Sequence, residues 1–407
     1  MALPDLLARV YARAPRGIEL GLDRVRQAVD ALGHPERAWG VLHIAGTNGK
    51  GSVAAISSLA LERAGYRVGL FTSPHLHRFA ERIRVNQEPI GDDLLAHCLA
   101  QALAFDLTFF EVAFVASLIA FRESGVDCAV LEVGMGGRLD ATNVVEAPVA
   151  TAVTRIALDH TSVLGGTLRE IAYEKARIAK LGCPMVIGAM DEVARDEVRR
   201  VATERRASPV EWAERTPWGA VQMRTALAGR HQQDNASLTA ALCFHAARKF
   251  DRLTLTHVQE AVASVSWPGR MESIHRDGVE ILLDGAHNPD GIEALASHME
   301  SRCVDPSRVA IVFGAMRDKA WAVMVKRLQS VAVQRFYVEP RGRAPASWEE
   351  LSEVADGRGC RSVEEAIERA SSSVGAEGLV VVCGSLFLVA EARAMLLGLE
   401  SDPMVAL

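Results

Sequence analysis

Short apolar runs alternate with stretches of helical periodicity along nearly the whole chain. The runs fall at residues 40–45, 67–72, 128–133, 149–154 and 184–187, and between them lie helical patterns at 52–64, 92–105, 111–123, 168–180 and 191–205. Continuous apolar strands separated by helices are the rhythm of a largely parallel sheet covered on both faces. From about residue 227 the rhythm changes to two helical stretches, 235–250 and 256–264, followed by Trp267-Pro268-Gly269-Arg270. Proline next to glycine favours a break, so the domain boundary is expected there, with domains at 1–269 and 270–407. A second alternating series, 280–283, 309–313, 335–338 and 378–383, predicts a smaller open sheet. The expected fold class is therefore α/β in two domains: a larger one with a mostly parallel sheet of P-loop type, then a smaller Rossmann-like one. A length of 407 residues agrees with two cores, and no internal repeat or low-complexity tract interrupts the pattern.

Composition narrows the class. Apolar residues make up 49% and charged residues 24%, as in an ordinary globular protein, and a net charge of -6 gives no global reason to expect nucleic acid or an anionic membrane as partner. The seven cysteines are scattered, without a C-x-x-C pair or a histidine at metal-ligand spacing, and read as reduced thiols. The first sixteen residues carry Pro4, Pro15 and several arginines in place of a signal-type apolar core, and no run approaches the length needed to span a bilayer. A cytoplasmic, monomeric enzyme acting on small molecules is the expectation.

Candidate chemistry begins where the run 40–45 ends, in Gly46-Thr47-Asn48-Gly49-Lys50-Gly51-Ser52. Three glycines let successive N–H groups converge on one anion, Lys50 adds a point charge, and the following helix offers its positive end. The spacer is shorter than in the commonest phosphate loop, so a tight strand-to-helix turn with one solvated lysine fits the same letters. Glu132 ends the next buried run and opens the glycine-rich loop to Asn143; a carboxylate there suits the Mg²⁺ of bound ATP, or else caps a neighbouring helix. Gly134-x-Gly136-Gly137 lacks the spacing of a dinucleotide fingerprint. Asp159-His160 follows another strand. Lys175 lies on a charged helix face; turned outward it is solvated, and turned inward its pKa falls and its neutral amine becomes reactive. His231 and Asn235, four apart on one helix face, suit an adenine or ribose, with capping as the rival role. In the second half, Asp284-Gly285-Ala286-His287-Asn288-Pro289, the 314–319 loop ending in Lys319, and Gly384-Ser385-Leu386 each follow a strand directly, which favours an active-site rim.

In this order, these segments resemble the Mur ligase family in its folate branch. Further matching stretches are Leu20-Gly21-Leu22-Asp23-Arg24-Val25, Thr72-Ser73-Pro74-His75-Leu76, Glu81-Arg82-Ile83-Arg84-Val85, Thr108-Phe109-Phe110-Glu111 and Glu174-Lys175-Ala176. The resemblance implies ATP-dependent amide formation: a pterin carboxylate is phosphorylated, the amine of L-glutamate attacks the acyl phosphate, and phosphate leaves. It implies dihydropteroate and then reduced folates as acceptors of glutamate. By the same resemblance Gly46, Thr47, Asn48, Gly49, Lys50, Gly51 and Ser52 hold phosphates, and Asn235, Arg270 and Asp284 contact ATP. Ser73, Glu132 and His160 would ligand Mg²⁺, with a carbamylated Lys175 supporting a second ion. Gly21, Leu22, Asp23, Arg24, Thr108, Leu139, Asp140 and Ala141 would bind the pterin substrate, and His287 and Ser385 would form the glutamate-side wall. Lys50, Lys175 and His287 are the expected catalytic side chains. Arg177, Phe387 and Ala390 depart from the family pattern. A monofunctional folate ligase, a cell-wall precursor ligase and a nucleotide-binding switch remain alternatives.

Overall fold

A computed structural model describes residues 2–17, 19–342 and 344–402. Eight strands form the first sheet: β1 (Gly40–Ala45), β2 (Val68–Phe71), β3 (Ile83–Val85), β4 (Glu88–Pro89), β5 (Cys128–Glu132), β6 (Ala150–Val153), β7 (Met185–Ile187) and β8 (Val210–Trp212). Their order is β4-β3-β2-β5-β1-β6-β7-β8, and only β3 runs against the others, antiparallel to both β2 and β4. Alternate residues of the central strands enter opposite cores. Val41, Phe71, Ala129 and Leu131 pack under the helices Leu3–Tyr11, Asp92–Ala102 and Phe109–Glu123, while Leu42, Ile44, Leu70 and Val130 pack under Lys50–Arg63, His231–Ala246 and Leu255–Ser264. Burial on both faces is why these strands read as unbroken apolar runs.

The second sheet contains β9 (Glu272–Arg276), β10 (Val279–Leu283), β11 (Val309–Phe313), β12 (Gln334–Tyr337), β13 (Arg358–Gly359) and β14 (Leu379–Cys383), in the order β13-β12-β11-β14-β10-β9. Only β9 runs antiparallel. Leu282 faces one core and Ile281 and Leu283 the other, so this sheet too is covered on both sides.

The expected α/β architecture of a larger and a smaller sheet is present. Some boundaries moved by about a turn. The helix expected at 52–64 starts at Lys50, the one expected to reach 180 ends at Ala176, and the one expected at 235–250 runs His231–Ala246. Among the described residues no helix is long and apolar enough to cross a membrane.

Candidate active site

Parallel strands place their carboxyl ends along one edge, and that edge carries the candidate chemistry. Gly46 follows β1, Thr72 and Ser73 follow β2, Glu132 ends β5, and Thr154 to His160 follow β6. The loop after β1 is fixed from below. Gly46 has φ 147°, and a Cβ there would overlap the Thr154 hydroxyl; Gly49 has φ 94° as the residue before the helix. Thr47 N–H donates to the Arg155 carbonyl at 2.8 Å, which pins the loop to the end of β6.

Two lysines meet this loop. Lys50 Nζ donates to the Thr47 carbonyl at 3.2 Å, and Lys175 Nζ donates to the Gly46 carbonyl at 2.8 Å. Lys175 is 4% exposed, so the helix Leu168–Ala176 turns it inward and the solvated reading fails. Burial, then the neighbouring Lys50 charge, lowers its pKa from 10.5 to about 7; burial likewise lowers that of Lys50. Arg177, two residues on, points outward to Glu204 and the Tyr173 ring, away from the Lys175 amine. Glu132 is buried and accepts a bond from Ser73 N–H at 3.1 Å; it caps no helix. Burial raises its pKa against the pull of Lys50.

The second sheet offers its own carboxyl edge to the same space. Asp284 and His287 follow β10, the loop ending in Lys319 follows β11, and Ser385 follows β14. Asp284 is held by the backbone around it, accepting from Met271 N–H and Ala286 N–H at 2.9 Å each. The two edges are bolted together at Asp159. Its carboxylate receives Lys319 Nζ at 2.6 Å and Asn288 Nδ2 at 3.2 Å, and His287 Nε2 stands 3.4 Å away. Burial pushes the Asp159 pKa up, but the hydrogen bond from His287 and the cations around it win and hold it well below the carboxylate range. Asn48 Nδ2 reaches Asp290 Oδ2 at 2.8 Å, and Arg155 Nε reaches Asp290 Oδ1 at 2.6 Å.

The space between the edges is a cleft of about 730 Å³. It is lined by Thr47 to Ser52, Lys175, Asn235, Arg270, Asp284, His287 and Ser385, and by Gly17, Leu20, Thr108, Phe110, Glu111 and Leu139 to Ala141. A volume of this size that mixes cations and carboxylates with apolar surface such as Leu20 and Phe110 suits a ligand with both a charged and an aromatic part.

Two Mur ligase family descriptions match this chain, the middle domain over residues 44–243 and the glutamate ligase domain over 269–386. A dihydrofolate synthase/folylpolyglutamate synthase of Bacillus subtilis is 34% identical, covering 96% of this chain and 98% of that protein. The chain belongs to the dihydrofolate synthase/folylpolyglutamate synthase group of the Mur ligase family. It is therefore a ligase. A folylpolyglutamate synthase of Lacticaseibacillus casei is also 34% identical, covering 93% and 95% of the two chains. The solved structure of Escherichia coli FolC in complex with DHPP and ADP superposes with a TM-score of 0.88 at 29% identity, covering 97% of each chain.

Seen as a Mur-type folate ligase, the structure brings most of the sequence-expected residues to one cleft. Ser73, Glu132 and His160 line it with the 47–52 loop, although Gly46 lies behind the wall and meets Lys175 through its carbonyl. Gly21, Leu22, Asp23 and Arg24 also stand behind the wall: Leu22 is buried, Asp23 starts the helix Asp23–Ala31, and Arg24 holds the cleft-lining Glu111 at 2.9 Å. Asp140 is in the wall, but its oxygens are engaged by Met135 N–H, Thr142 N–H and the Thr142 hydroxyl. Asn235 caps nothing; its amide donates to Gln232 Oε1 at 2.9 Å inside the helix His231–Ala246. Arg155 and Asp290 were not singled out by sequence reasoning. Their one signal was position, each following a strand-end motif by a few residues.

Proposed function

We propose that this ligase joins L-glutamate to dihydropteroate and then adds further glutamates to reduced folates, using ATP. The observation that carries the proposal is the convergence of two strand-end rims on one cleft, whose lining holds the 47–52 loop, Lys175 and Arg270 together with Thr108 and Phe110. In the first step a substrate carboxylate oxygen attacks the γ-phosphorus and ADP leaves. In the second, the glutamate amine attacks the acyl carbon, an amide forms and phosphate departs. Little covalent chemistry falls to the protein, which positions the partners and balances charge. Loop amides from 46 to 52 and Lys50 hold the phosphates; Asn235, Arg270 and Asp284 meet the nucleotide from the hinge; His287 and Ser385 face the glutamate. Domains at 1–269 and 270–407 fit a helix ending at Ser264 and a strand starting at Glu272.

Mg²⁺ fits the donors present. Glu132 is a buried carboxylate without a cationic hydrogen-bond partner among the described residues, and no three His, Cys, Asp or Glu side chains there form a cage. That suits an ion held largely by phosphate oxygens, as Mg²⁺ prefers. Ser73, Glu132 and His160, with Lys175 as its carbamate, would hold it, and it would neutralise triphosphate charge. Lys175 has the neutral fraction that reaction with CO₂ requires. Seven free cysteines, six of them buried, agree with action in the cytoplasm.

The test is release of ADP and phosphate with dihydropteroate, tetrahydrofolate or a UDP-muramoyl peptide as acceptor in the presence of glutamate and Mg²⁺. Turnover with the first two and none with the third is expected. Turnover with only one folate would make the enzyme monofunctional, a reading favoured by single-activity relatives such as the Lacticaseibacillus casei synthase. Turnover with the muramoyl peptide alone overturns the folate assignment.

A further inference from the structure

One buried cation in the cleft wall makes no contact ion pair among the described residues, although the Glu81 and Glu132 charges act on it from farther off. Arg82 ends the short turn Phe79–Arg82 and is 2% exposed. Its guanidinium carbon lies 5.7 Å from the centre of the Phe79 ring and 5.1 Å from that of Phe109. Nε donates to His75 Nδ1 at 2.7 Å, whereas Nη1 is enclosed without a hydrogen-bond partner among the described residues. The nearby acids are engaged elsewhere. Glu81 accepts from the amides of Leu76, His77 and Arg78 at 2.8 to 3.0 Å, and Glu132 from Ser73. An enclosed guanidinium with an idle donor is unfavourable unless an anion completes it.

We propose that Arg82 is the receptor for a carboxylate of the folate-side substrate. The proposal rests on the folate-ligase reading and adds to it a specific anion site. Arg82 lines the same cleft as Ser73 and Glu132 on the phosphate side and Thr108 and Phe110 on the other, where the acyl substrate must pass. With Nε committed to His75 and Nη1 enclosed, Nη2 is the donor left to meet a carboxylate in the cleft, and aromatic rings on the flanks of the guanidinium keep water from competing. The fork is aimed by its neighbours. Because His75 Nδ1 accepts from Arg82, the ring carries its proton on Nε2, which faces the Tyr11 hydroxyl at 3.4 Å. The carboxylate has two possible sources: the reacting group itself, or the second carboxylate of a glutamylated folate.

Steady-state kinetics of the whole enzyme separate them. Arg82→Gln is expected to raise KM for the folate-side substrate about 10- to 100-fold, the range of one charge-assisted pair, with KM for ATP unchanged. A rise with both dihydropteroate and tetrahydrofolate assigns the reacting carboxylate; a rise with tetrahydrofolate alone assigns the second one. Arg82→Lys should recover part of the loss, and guanidinium ion should recover part of it in Arg82→Ala. Carboxamide analogues give an independent measure: where the reacting carboxylate is the one bound, the carboxamide of dihydropteroate should bind more weakly than dihydropteroate, and where the second carboxylate is bound, the α-carboxamide of tetrahydrofolate should bind more weakly than tetrahydrofolate, the difference vanishing in Arg82→Gln in either case. Unchanged folate KM in the variants, or an equal loss of folate and ATP affinity with a lowered melting temperature, overturns the proposal. Absence of ADP release by the wild-type enzyme with either folate would instead overturn the ligase reading beneath it.

Discussion

Replacing Lys175 by Met should stabilise the protein in a pH-dependent way while abolishing most turnover. In the folded chain the Lys175 amine has a pKa of about 7, and in the unfolded chain it returns to 10.5. Below pH 7 both states are protonated and the fold carries the full penalty, roughly 5 kcal/mol for a shift of this size. Between pH 7 and 10.5 the unfolded chain binds the extra proton, so wild-type stability rises with pH. Lys175→Met has no such proton, and its advantage over wild type should shrink by roughly 3 kcal/mol from pH 6 to pH 9. Urea unfolding of both proteins at the two values, in CO₂-free buffer without nucleotide, measures the difference, and other titrating groups cancel in the comparison. Parallel curves would refute an inward amine with a depressed pKa. A parallel outcome together with full activity in the mutant would also remove Lys175 from the proposed chemistry.

In Lys175→Ala, bicarbonate or a small carboxylate should restore part of the activity, read as ADP release, if a carbamate is the working form. Lys50→Ala should raise KM for ATP or lower kcat at least tenfold, since the amine sits on the loop that would hold the phosphates; an unchanged ATP dependence would mean the loop is misread. Gly46→Ala forces a Cβ into the Thr154 hydroxyl and should weaken nucleotide binding by calorimetry, with Thr154→Ala partly relieving it. Burial, assisted by the Lys180 charge, lowers the His43 pKa to about 3, so the unfolded chain takes up a proton first as pH falls below 6.5. Wild type should therefore lose roughly 3 kcal/mol more than His43→Asn between pH 7 and pH 4 in urea unfolding.

Elements buried on both sides were legible from the letters, because their apolar runs have no polar face to confuse them. β1 and β11 fall at 40–45 and 309–313 as expected. Short edge strands were not: β4 is Glu88–Pro89, and β9, Glu-Ser-Ile-His-Arg, takes its conformation from pairing with β10. Their strand state is a tertiary effect that local propensity does not encode. The helix Lys50–Arg63 began two residues early because Gly51 reads as loop, yet its lack of a side chain lets Trp267 approach. The glycine-rich 46–52 loop and Glu132 were visible as motifs. The direction of Lys175 was not, since a lysine on a charged helix has the same letters whether it faces water or the Gly46 carbonyl. Contacts across the cleft, such as Arg155 with Asp290, join residues far apart in sequence, and only the fold brings them together.

Asn48 belongs to the loop that would receive phosphate, and its side chain is also a fastening between the domains, with an amide that meets Asn288 and Asp290. One short segment thus touches both halves of the molecule. Thermodynamic linkage then applies: whatever factor closure contributes to nucleotide affinity, nucleotide must contribute the same factor to closure. A substitution at Asp290, remote in sequence from the loop, should consequently read out as a change in nucleotide affinity, and added ATP should by the same linkage shift the spacing of the two domains.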